Sequence, residues 1–150
     1  MDPADRLALI TLAARYAQAV DRRDIAAVAA LCTSEVVFVL PPELRKTGSP
    51  AELRGSATVA QSVVGAVSHL VATRHVVEQQ VTESDAAGRA YGETYCTAHH
   101  IYARGDDHRD NRIALRYQDT FEYQGGIWLF SRRELVADFA EDVPVTRPGR

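Results

Sequence analysis

Apolar residues recur at three- and four-residue spacing in the first part of the chain, and at two-residue spacing after residue 72. Leu7, Ile10, Ala14 and Ala17 predict a helix over residues 4–22, with Thr11, Arg15, Gln18 and Arg22 on its polar side. The next position in that apolar series is Asp21. An ionised group on a buried stripe is costly unless another group pairs with it, so Asp21 calls for a partner elsewhere in the chain. Five residues turn a helix by about 140°, which puts Tyr16 and Asp21 on opposite flanks of the apolar arc.

Asp24 is placed to cap a second helix, 25–32, and Val36–Leu40 reads as a strand ended by Pro41-Pro42. The polar stretch to Gly55 predicts a turn and a short strand. Val59, Val63, Ala66, Val67 and Leu70 predict a third helix over 58–69. Period-two alternation then predicts strands over 73–82, 89–103, 111–123 and 127–137, joined by turns at 84–88, 104–109 and 124–126. Helices first and hairpin-linked strands afterwards give an α+β class, three N-terminal helices packed on a curved, mainly antiparallel sheet. Residues 1–140 form one domain in this reading, and the proline-containing 141–150 segment a flexible tail.

Composition narrows the function classes. A net charge of -3 spread over 150 residues, with no basic block, gives no footprint for nucleic acid or for an anionic membrane. No segment has the ~18 continuous apolar residues of a membrane span, and the default location is the cytoplasm. Cys32 and Cys96 stand apart from each other and from any Cys/His cluster, so neither a disulfide framework nor a metal site is indicated. Lys46 is the only lysine, which leaves little room for lysine chemistry. No cofactor motif is present in the sequence.

The combination of Tyr16-x-x-x-x-Asp21-x-x-Asp24, Thr73-Arg74-His75, Tyr117 to Glu122 and Gly126-Ile127-Trp128 resembles the SnoaL-like branch of the nuclear transport factor 2-like superfamily. The resemblance covers residues 4–138 and implies a conical α+β barrel around a pocket. It further implies that Asp21 orients His75, as in scytalone dehydratase, bile-acid dehydratase and hexachlorocyclohexane dehydrochlorinase, for proton abstraction beside a leaving group. A local ion pair of Asp21 with Arg22 or Arg74 and a packed core His75 is the structural alternative. Tyr16 matches a family position that donates to substrate, with a helix-packing aromatic whose hydroxyl reaches the surface as the structural alternative, and a second histidine on the next strand resembles an acid/base partner. Strand alternation puts Cys96 and His100 on the small-residue side and His99 on the other, so His100 is the expected general acid unless a bulge brings His99 inward.

Tyr117 and Asp119 share a face of the following strand. Tyr117 is placed to touch a substrate oxygen, and Asp119 either lines the pocket or pairs with Arg132 or Arg133 across the hairpin. The implied activity is a cofactor-independent lyase or isomerase, in particular a dehydratase, acting on an apolar cyclic ligand. A noncatalytic ligand-binding or assembly module, like the β subunits of ring-hydroxylating dioxygenases, is the alternative. Either reading implies a homodimer or higher homo-oligomer, because the fold leaves one sheet face uncovered.

Overall fold

The computed structural model describes residues 1–149. Helices α1 (Pro3–Asp21) and α2 (Ile25–Ala30) precede strands β1 (Cys32–Val39) and β2 (Glu52–Arg54), helix α3 (Ser56–Val67), and four long strands: β3 (Ala72–Ser84), β4 (Arg89–Arg104), β5 (Asp107–Gln124) and β6 (Ile127–Val145). The sheet order is β2-β1-β6-β5-β4-β3, with β1 parallel to β6 and every other pair antiparallel. The α+β class and the three helices on a mainly antiparallel sheet match the sequence expectation, but the sheet is open, with β2 and β3 as edges rather than closed into a barrel.

Asp2 and Asp24 cap the first two helices, their carboxylates accepting from the amides of Ala4 and Ala27. The buried face of α1 differs from the one the spacing predicted. Leu9, Leu12, Ala13, Tyr16 and Val20 face the sheet, whereas Leu7 and Ile10 are exposed. Both stripes are apolar because α1 is rich in alanine and leucine all round, and the bulkier set removes more surface from water. Asp21 therefore lies at the flank of the buried face, with its side chain 24% exposed.

The long hairpins extend beyond their predicted ends. The expected loop over 104–109 contracts to a two-residue turn at Gly105 and Asp106, and β5 begins at Asp107. Gly105 has φ of +61°, the left-handed conformation that such a turn requires. The segment read as a flexible tail from residue 141 continues β6 to Val145, because the longer β5 offers His108 to Arg112 as pairing partners. On β4 the even positions Ala90, Thr94, Cys96 and Ala98 are buried toward the helices, and the register with β5 runs without a shift. That continuity keeps His100 on the inner face and His99 on the outer one.

Candidate active site

The end of α1 is tied to the sheet by a chain of polar contacts. Arg23, in the left-handed conformation at φ 58°, donates to the carbonyls of Val20 and Val67 and, at 2.6 Å, to the Thr73 hydroxyl. Thr73 donates in turn to Asp21 Oδ1 at 3.0 Å. Asp21 grips His75 twice: Oδ2 accepts the backbone N–H at 3.0 Å, and Oδ1 lies 2.7 Å from ring Nδ1. An ionised carboxylate only accepts, so Nδ1 carries the proton and Nε2 keeps its lone pair. Partial burial pushes the Asp21 carboxyl up, but the hydrogen bonds from His75 and Thr73 outweigh it and hold it below its ordinary 3.8.

His100 stands beside the pair, its ring edge-on to that of His75 with centroids 5.9 Å apart. Its Nδ1 lies 3.1 Å from the backbone carbonyl of Asn111, which fixes the proton there and leaves Nε2 as an acceptor. Burial and the nearby His75 hold His100 below its ordinary 6.5, so it is neutral at physiological pH. The predicted general acid is thus in the state suited to accepting a hydrogen bond. His99, on the other side of β4, forms a second pair at 2.6 Å with Asp110, whose other oxygen accepts the backbone N–H of His100.

The remaining candidates lie in the core, apart from the dyad's opening. Tyr16 packs its ring against Phe38, Tyr117 and Phe130, with centroid distances of 5.9 to 6.1 Å. Burial pushes its hydroxyl pKa up to about 12, and the Cys96 thiol up to about 11, so both stay neutral. The Tyr117 hydroxyl points at the Cys96 sulfur, 3.7 Å away. Asp119 pairs with Arg133 through two parallel hydrogen bonds of 2.7 and 2.8 Å, both side chains fully buried. The Arg133 guanidinium lies over the rings of Tyr16, Tyr117 and Phe130. Burial works against its charge, and the Asp119 carboxylate more than offsets that. Where the resemblance implied a pocket for an apolar ligand, this ion pair and its aromatic sleeve are packed.

Asp21 and His75 instead open onto a groove of about 340 Å³ between α1 and the edge strand β3, lined by Ala14, Ala17, Gln18, Asp21, Arg22, Arg74, His75 and Val77. A wider depression of about 610 Å³, which Val81, Tyr91, Glu93 and Arg132 help to line, lies on the outer sheet face and contains no histidine. Of these two, the first has a histidine on its wall, His75, whose side chain is 8% exposed. Arg23 and Asp110 carry this architecture without any sequence signal of their own, while Arg133 was one of the two arginines offered to Asp119. Thr73 was legible as the residue before Arg74-His75, but Arg23 could not be told from Arg22 by pattern. The described residues contain no group of three or more metal-ligating side chains that could hold an ion.

Acid stability follows from these shifts with a definite sign. The unfolded chain protonates histidine near pH 6.5 while folded His100 resists, so stability falls as pH drops below about 6.5. Asp21, depressed in the fold, adds a second loss as pH falls below about 4 and through its folded pKa. Urea midpoints measured across this range should show both losses. His100→Gln should remove the upper one and Asp21→Asn the lower, and a profile that neither variant changes would contradict the assignment.

Comparison with known proteins agrees with the fold. No curated protein matches the chain in sequence. Among solved structures, a candidate scytalone dehydratase from Novosphingobium aromaticivorans DSM 12444 superposes with a TM-score of 0.78 at 19% identity, covering 95% of this chain and 90% of that one. Hexachlorocyclohexane dehydrochlorinase LinA-type3 from Novosphingobium barchaimii LL02 gives 0.79 at 17%, covering 97% and 96%. ActVI-ORFA from Streptomyces coelicolor gives 0.72 at 17%, covering 89% and 96%. A family described as the SnoaL-like domain matches residues 2–134. The chain belongs to the SnoaL-like family.

Proposed function

We propose that the protein is a cofactor-independent lyase, a dehydratase in which His75 is the base and Asp21 its orienting partner. The observation that carries this reading is the 2.7 Å contact between Asp21 Oδ1 and His75 Nδ1 on the wall of an open groove. In the reaction, Nε2 of His75 removes the proton next to a carbonyl of an apolar cyclic substrate. The electron pair of the broken C–H bond becomes the new C=C bond, and the β-hydroxyl departs with the proton returned by the imidazolium. Enone and water leave, and the dyad is restored. Asp21 stabilises the transient imidazolium, and the neutral His100 ring, edge-on to His75 at 5.9 Å and outside the groove's lining, packs behind the base. Tyr16, Tyr117, Cys96 and Asp119 support the core behind the site and do not touch substrate.

The noncatalytic alternative needs Asp21 turned away from His75, and their double hydrogen bond speaks for the enzyme. We also assign the outer sheet face to contact with a second copy, since Val76, Val81, Tyr91 and Phe139 are exposed there. A cytoplasmic location fits this reading, and no helix among the described residues is long and apolar enough to cross a membrane.

The test uses a panel of cyclic β-hydroxy ketones in D2O, with enone absorbance followed beside deuterium incorporation by mass spectrometry. Elimination raises absorbance, and enolisation alone raises only deuterium. We expect the wild type to do the first and His75→Ala to do neither while keeping its circular dichroism. Equal turnover by His75→Ala would remove the dyad from the mechanism.

A further inference from the structure

The groove beside the dyad has a charge that the proton abstraction does not require. Arg22, at the C-terminal end of α1, and Arg74, next to His75 on β3, both line it, and both are exposed. Neither forms an ion pair among the described residues, although Arg109, Arg116, Arg132 and Arg133 all have carboxylate partners. The one acid in the groove, Asp21, is committed to His75 and Thr73. Two exposed arginines therefore line the open space with no ion-pair partner of the protein's own among the described residues. Ala14, Ala17 and Val77 make the rest of the wall small and apolar, and Gln18 adds a neutral hydrogen-bonding group.

From this juxtaposition we propose that the groove selects amphiphilic anions: substrates with an apolar ring body and a carboxylate held by Arg22 and Arg74 beside the Asp21–His75 pair. The proposal rests on the groove being the reaction site and adds the substrate's charge to it. Arginine suits this task because its planar fork offers parallel donors to a carboxylate. The small wall residues leave room for a flat ring between α1 and β3. The anion also gives the substrate one orientation, because its charged end is drawn to the arginines and its ring to the alanines. A groove meant for a neutral hydrocarbon gains nothing from two unpaired cations, whose hydration opposes its entry.

Equilibrium binding tests this without knowledge of the natural substrate. The probes are 2-naphthoate and its uncharged counterpart 2-naphthamide, titrated into the 15N-labelled protein and followed by amide shifts. Wild type should bind the carboxylate ~10-fold tighter than the amide at low salt, with the preference shrinking at high ionic strength. The largest shifts should fall on Ala17, Gln18, Arg74 and Val77. The double variant Arg22→Gln/Arg74→Gln, altered only at exposed positions, should bind the two probes within about twofold of each other. Equal affinity of the probes in wild type, an unchanged preference in the double variant, or shifts confined to other surfaces would each overturn the proposal. A carboxylate preference without enone formation or deuterium incorporation would strike the dyad chemistry alone. Turnover by the dyad without any carboxylate preference would strike the anion subsite alone.

Discussion

Asp21→Asn should lower the rate of proton abstraction by about three orders of magnitude, within the range seen when an orienting carboxylate or a general base is lost. The substituted amide can still accept the backbone N–H of His75, so the end of α1 stays in place. Its NH2 group, however, donates where the carboxylate accepted. The ring then turns its Nδ1 lone pair toward residue 21 and carries its proton on Nε2, the nitrogen that takes one from substrate in the proposed reaction. The expected pattern is a collapse of kcat with the thermal midpoint near neutral pH changed by only a few degrees. Enone formation and deuterium uptake measured on the folded variant check it, and near-normal rates would mean that Asp21 is only a structural tie.

The second large effect concerns stability. Asp119→Ala should cost about 3–5 kcal/mol, because it leaves the guanidinium of Arg133 buried without its counter-charge. Against a typical total of about 5–15 kcal/mol for a domain of this kind, that is enough to leave the variant marginal or unfolded. Arg133→Lys should also destabilise, since an ammonium cannot reproduce the two parallel hydrogen bonds or lie flat on three rings. Replacing both partners, Arg133→Met with Asp119→Leu, should recover most of the loss. Urea unfolding of the three variants measures this directly. If Asp119→Ala cost less than about 1 kcal/mol, the pair would contribute no more than an exposed one.

These two effects separate roles that the sequence presented together. Asp21 and Asp119 both read as carboxylates in apolar settings. Asp21 lies at the rim of α1, partly exposed beside an open groove, while Asp119 is sealed in the core. Burial and access to solvent, not residue type, divide the carboxylate proposed to serve a reaction from the one that only holds the fold. Tyr16 illustrates the same point, because the rotation of α1 by one stripe turns it from the expected pocket rim into the aromatic core.

Sequence alone determined the α+β class and the order of helices and strands, and alternation along β4 put His100 inward and His99 outward on condition that no bulge intervened. Those features depend on local periodicity, and β4 keeps its register with β5 throughout, so alternation counts correctly along it. The pairing of Asp21 with His75 was also proposed from the residues, through a family resemblance. Tertiary structure alone decided which stripe of α1 is buried, because both were apolar and only the volume of the facing side chains distinguishes them. It decided where β6 ends, since 141–145 becomes a strand only when β5 starts early enough to pair with it. It chose Arg133 over Arg132 for Asp119, through a register shift next to Thr120 that no sequence pattern marks. It also brought Arg22 and Arg74 to one groove from positions 52 residues apart in the chain. Local spacing cannot encode such an encounter, because it depends on how α1 lies along the edge of the sheet.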